Sequence, residues 1–158
     1  MPVNTNEMKF TPRKINAFLF FKLPSAFFTG VRVKSLSDDS AEVKVTYRWV
    51  NQNPFKSMFW AVQGMASELS TGILVMKEID ASNRKISMLV TNMNGTFTKK
   101  ATGKIRFECN DGKLIRETIQ KSINTGEGQT VTVTSEGFNE EGVSVSKFEY
   151  EWSLKVKS

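Results

Sequence analysis

Apolar and polar residues alternate along two early runs, Val31 to Leu36 and Ala41 to Val50, with the turn-forming Ser37-Asp38-Asp39-Ser40 between them. In the second run Val43, Val45, Tyr47 and Trp49 share one face and Glu42, Lys44, Thr46 and Arg48 the other, the pattern of a half-buried hairpin. The period then changes. Met58, Val62, Met65, Leu69, Ile73 and Met76 recur at helical steps and predict one long helix from about Ser57 to Met76, capped by Asn53-Pro54 or by Ser57. Ahead of the hairpin, Pro12 to Phe21 predicts a short helix with Ile15, Phe18 and Leu19 on one face, stopped by Pro24.

The second half reads mostly as strand. Lys85 to Phe97 and Gly103 to Cys109 flank a turn placed either at Asn94-Gly95 or within Lys99 to Gly103. Gln129 to Phe138 and Gly142 to Lys157 predict a hairpin about Asn139-Glu140-Glu141-Gly142, with a bulge after Lys147 where the apolar series changes phase. Ile115, Ile119 and Ile123 predict a short surface helix between the strand pairs. One long apolar helix among antiparallel strands points to the α+β class, a curved sheet of five or six strands wrapped around that helix. Residues 1–22 form an N-terminal segment in this reading and residues 23–158 the main domain.

Composition narrows the chemistry. The 158 residues suit one domain with a sizeable core. Twelve Phe against two Tyr suggest a core or pocket of rings with no polar atom to satisfy. The net charge of +6 is spread along the chain without a block of like charges, so a solvated basic surface is favoured over nucleic-acid binding. No stretch approaches the length of a membrane span, and the polar Met1 to Lys9 is unlike a signal peptide. The single cysteine, Cys109, rules out an intramolecular disulfide and suits a reducing compartment, so a cytoplasmic location is expected. Histidine is absent altogether. That removes Ser-His-Asp and Cys-His catalysis and most transition-metal sites, leaving acid–base work to carboxylate, lysine, tyrosine or cysteine. No metal and no resident cofactor are expected.

On the long helix Ala61, Gly64, Glu68 and Gly72 fall on one lane, a single carboxylate flanked by residues with almost no side chain. As pattern alone, such a lane reads as a close-packing face with a solvated glutamate. Lys99, Lys100, Lys104 and Arg106 lie near one turn, which as pattern alone is a solvated turn.

The run from Asn53 through Pro54, Ser57, Met58, Phe59, Trp60, Ala61 and Gly64 to Glu68 resembles, without a gap, the motif of hotdog-fold acyl-CoA thioesterases of the phenylacetate-pathway type. That motif reads Asn-Pro-x-Gly-Thr-Leu-His-Gly-Gly, then six residues, then a catalytic Asp or Glu. Asn53 and Pro54 agree, Ser57 stands for Thr, Met58 for Leu, and Glu68 falls on the acid. Phe59, Trp60 and Ala61 depart from His-Gly-Gly. The resemblance implies the hotdog fold, Glu68 as general base or nucleophile, and Asn53, Ser57, Phe59, Trp60, Ala61 and Gly64 about the substrate. An N–H near Trp60 or Ala61 would face the oxyanion, and Lys99 and Lys100, with Lys104 and Arg106 near the same turn, would meet the phosphates of coenzyme A, which enters as part of the substrate. It further implies a homodimer or a tetramer built from dimers. The departure at Phe59-Trp60 motivates the alternative, a dimer that binds acyl groups without hydrolysing them.

Overall fold

The computed structural model describes residues 10–158, so the stretch Met1 to Lys9 lies outside the described residues. Helices α1 (Pro12–Lys22) and α2 (Pro24–Phe28) lead into strands β1 (Arg32–Leu36) and β2 (Ala41–Thr46). Helix α3 (Trp60–Ala81) follows, then β3 (Ile86–Phe97), β4 (Lys104–Cys109), α4 (Gly112–Thr125), β5 (Gln129–Phe138) and β6 (Ser144–Val156). The strands form one antiparallel sheet in the order β1-β2-β4-β5-β6-β3. Helix α3 packs against all six of them. This is the hotdog arrangement.

A helix with a polar face does not survive in such a position, and from Leu69 to Val75 every residue of α3 is buried. Its polar side chains are settled inside the core instead. Ser146 Oγ donates to Gln63 Oε1 at 2.8 Å, Ser67 and Tyr150 share a hydrogen bond of 2.7 Å, and Ser70 donates to Ser135 Oγ at 2.7 Å. Trp152 Nε1–H donates to Thr71 Oγ1 at 3.1 Å. From Ser67 to Thr71 the helix rises about 6 Å, and from Tyr150 to Trp152 the strand rises about 6.6 Å, so the two pairs meet in step.

The sheet's two edges differ. On β1, the Asn16 side chain of α1 takes both main-chain groups of Val33: Val33 N–H donates to Asn16 Oδ1 at 2.8 Å, and Asn16 Nδ2 donates to Val33 O at 3.0 Å. On the far side, among the described residues, β3 pairs only with β6.

Several expectations are corrected. Strand β2 stops at Thr46, and Trp49 to Asn51 form a 3-10 turn that leaves Trp49 83% exposed. The cause is Asn51, whose Oδ1 accepts from Arg48 N–H and whose Nδ2 donates to Thr29 O and Thr46 O. Helix α3 begins at Trp60 rather than Ser57, because Asn53 and Ser57 bond one another within a loop in which Lys56 has φ 58°. It also runs on to Ala81. The β3 and β4 strands flank no hairpin turn; β3 crosses to the far edge while β4 lies between β2 and β5. The bulge falls at Val145, since Gly137 pairs with Ser146 and Phe138 with Ser144.

Helix α4 carries Ile115 and Ile119 fully inward and closes on Gly126 in the left-handed region. Beside it β5 passes over Phe107, where a Cβ on Gly137 would lie 2.5 Å from the Phe107 ring. Phe107 has no exposed surface and so no room to retreat. Gly137→Ala is therefore expected to lower unfolding free energy by about 1–3 kcal/mol. Urea denaturation monitored by tryptophan fluorescence checks this, and a neutral result would mean the core there is looser than described.

Candidate active site

The lane of small residues on α3 divides into two environments. At Gly72 space is tight: an added Cβ would lie 3.4 Å from Glu68 Oε1 and 3.5 Å from the Trp152 ring. At Gly64 an added Cβ would meet nothing within 4 Å. Glu68 sits between them, half-buried, with no hydrogen bond or ion pair to its carboxylate among the described residues.

The carboxylate borders a cavity of about 220 Å³ between α1 and α3. Phe10, Ile15, Phe18 and Leu23 form its outer wall, with Ile73 and Met88 opposite. Among the described residues, Lys14 is the one charged residue besides Glu68 that lines it. Burial raises the Glu68 pKa above the ordinary glutamate value, because the charged form loses water and gains no partner. Tyr150, whose hydroxyl lies 3.0 Å from Gly64 O, is pushed up to about 12 by burial, with its bond to Ser67 opposing and the Glu68 charge adding. Cys109 is likewise pushed up to about 12 by burial, and a neutral thiol in the core is no nucleophile.

The remaining candidates gather at the N-terminal end of α3. Phe59 N–H donates to Asn51 O at 2.9 Å and Met58 N–H to Ala101 O at 2.8 Å, which fixes the loop ahead of the helix. Asn53 holds Ser57 by its amide at 3.0 Å and accepts from Phe55 N–H at 2.9 Å, so both build the loop. Lys100 Nζ donates to Phe55 O at 3.1 Å, placing Lys99 and Lys100 beside the same loop. Phe59 and Trp60 are 44% and 52% exposed and meet edge to face at 5.9 Å. No side chain caps α3, and the N–H groups of Trp60 and Ala61 have no acceptor among the described residues. Met93 and Phe97 on β3 are also exposed, although Met93 pairs with Tyr150 and Phe97 packs on Phe148.

Asn53, Ser57, Phe59, Trp60, Ala61, Lys99 and Lys100 thus share one end of α3, while Glu68 faces a cavity further along. Ala61 and Gly64 do not line that cavity. The cavity wall from Phe10 to Leu23 was not legible as part of a site; its signal was only the apolar face of α1. Nothing local in the sequence marks the hydrogen bonds of the Tyr150 hydroxyl to α3.

Among the described residues no group of acidic and cysteine side chains could hold a metal ion, and no helix is long and apolar enough to cross a membrane. Among curated proteins none matches the chain. Solved structures match at low identity. A Pseudomonas aeruginosa protein of unknown function, described as a probable thioesterase, is 21% identical with a TM-score of 0.79, covering 93% of this chain and 97% of that one. A Chlorobaculum tepidum protein of unknown function is 18% identical with a TM-score of 0.78, covering 94% and 98%. A Haemophilus influenzae thioesterase is 14% identical with a TM-score of 0.69, covering 93% and 92%. At these identities the likeness establishes the shared hotdog fold. The model of the family described as a domain of unknown function, DUF4442, matches residues 12–154, and the chain belongs to that family.

Proposed function

We propose that the protein hydrolyses acyl thioesters of coenzyme A, with Glu68 as base or nucleophile, and that it works as a homodimer. The observation that carries this is Glu68 itself: an unpaired carboxylate, raised in pKa by burial, at the edge of an apolar cavity. That cavity accepts a short, medium or aromatic acyl group, being smaller than the roughly 300–1,000 Å³ of pockets for drug-sized ligands. As base, Glu68 takes a proton from water while the water oxygen bonds to the thioester carbon. The tetrahedral intermediate then expels the thiolate, which takes up the proton, giving free acid and thiol.

Geometry argues for two copies. The open N–H groups at Trp60 and Ala61 suit the oxyanion, at the positive end of the helix. Along α3 they lie about 10–12 Å from Glu68, too far to serve the same carbonyl. In a two-fold dimer the amides of one protomer serve the carboxylate of the other. The bare edge of β3, the exposed Met93 and Phe97, and the empty space at Gly64 offer the surface for that pairing. Lys99 and Lys100, beside the loop that enters α3, would then meet the phosphates of coenzyme A. A second reading, acyl binding without hydrolysis, is favoured by one observation: among the described residues no hydrogen bond orients the Glu68 carboxylate.

Glu68→Gln is expected to lower turnover across an acyl-CoA panel by about 10²–10⁴-fold while leaving the dimer intact. Tight acyl-CoA binding by a wild type with no turnover would establish the second reading.

The same substitution has a pH signature. A raised native pKa means the fold prefers protonated Glu68, so this stabilisation is complete below the ordinary value of 4.5 and is lost as pH rises through the native value. Glu68→Gln should therefore melt higher than wild type at about pH 8 and equally at about pH 4. The reverse ordering in paired melting curves would mean that Glu68 is stabilised as an anion.

Sedimentation equilibrium at micromolar concentration is expected to give twice the 17.8 kDa chain mass. A stable monomer would remove the shared-site geometry.

A further inference from the structure

On the outer face of the sheet, β1, β2 and β4 place Arg32 opposite Lys44 and Lys44 opposite Arg106, three cations in one cross-strand row. Lys104 stands in the row beside it, opposite Thr46. Like charges directly opposite on neighbouring strands repel. The row ends on β5 at Phe138, with the Arg106 guanidinium carbon 4.9 Å from the ring centroid.

These side chains, with Lys34 and Arg48, line an open groove of about 640 Å³. Against the six cations stand Glu42 and Glu140 in the lining and Glu108 bonded to Arg106, leaving a surplus of three charges in a chain whose net charge is +6. Internal pairing absorbs little of it. Lys34 bonds Glu42 and Arg106 Nε bonds Glu108, each at 2.8 Å. Arg32 donates to the carbonyls of Phe27 and Val31 at 2.7 and 2.8 Å and meets no carboxylate among the described residues. Lys44, Arg48 and Lys104 have no acidic partner among the described residues. Burial, and second to it the neighbouring Arg48 charge, lower the Arg32 pKa.

We propose that this groove binds a small organic polyphosphate of the nucleotide class, its phosphates along Arg32, Lys44, Arg106 and Lys104 and its base against Phe138. Three strands set the row about 10 Å across, the reach of a di- or triphosphate. The volume falls in the range of small-molecule sites. A long polyanion fits poorly, because the adjoining row is acidic: Glu42 lies opposite Glu108, and Glu108 opposite Glu136. Lys99 and Lys100 do not line the groove, and neither does Glu68. The groove is therefore separate from the Glu68 cavity.

Calorimetric titration of the full chain with ATP, coenzyme A, tripolyphosphate and adenosine tests it. ATP is expected to bind and to raise the melting temperature, tripolyphosphate to bind more weakly, and adenosine to have no effect. Lys44 and Lys104 are exposed, so Lys44→Gln/Lys104→Gln should fold normally. It should lose about tenfold in ATP affinity for each cation removed. Coenzyme A binding that is lost in this variant but kept in Lys99→Gln/Lys100→Gln would make coenzyme A the nucleotide of the groove. Without ligand, Lys44→Gln should melt above wild type, because the row's repulsion is relieved. ATP binding unchanged in the double variant, tripolyphosphate binding as tightly as ATP, or binding only to single-stranded RNA would each overturn the proposal.

Discussion

A helix enclosed by a sheet has no water to receive its polar side chains, and α3 carries Gln63, Ser67, Ser70 and Thr71 into that enclosure. An unpaired buried polar group costs about 1–3 kcal/mol, so each has to find its partner on the strands. The partners lie on β5 and β6 at Ser146, Tyr150, Ser135 and Trp152. A seam of this kind fixes both rotation and translation of the helix, which apolar packing alone leaves loose. Glu68 follows from it. With Ser67 held to Tyr150 and Thr71 to Trp152, the residue between them has one direction left, toward α1.

The position of Glu68 therefore does not depend on the loop that starts α3. That loop is organised separately, by Asn53, Ser57 and the carbonyls of Asn51 and Ala101. The two halves of the motif from Asn53 to Glu68 are thus held by different interactions and stand at different points along the helix. A protomer by itself presents a carboxylate in one place and open amides in another.

Elements with a clear period were legible in the chain: the stripe from Met58 to Ile73, the alternation of Val43 and Val45, the isoleucines of α4. Where reading failed, a side chain had intervened on the backbone. Asn51 turns the chain at Arg48 and ends β2 despite continued alternation through Trp49, and Asn53 bonds Ser57 and delays the helix. The neighbours of β3 were not legible because period-two alternation says which face a residue takes and nothing about which strand lies beside it. The candidate site divides likewise. Glu68 stood out because small residues surround it in sequence, whereas the wall from Phe10 to Leu23 joins it only through the fold.

Asn16 is a small detail with a consequence for how far this sheet can extend. By occupying both main-chain groups of Val33 it leaves β1 with less to offer an incoming strand, while among the described residues the twelve residues of β3 keep one side bare. In the dimer proposed above, pairing through β3 would turn each copy's shielded edge outward, and the asparagine would make assembly self-terminating, separating a finite particle from an open-ended fibre.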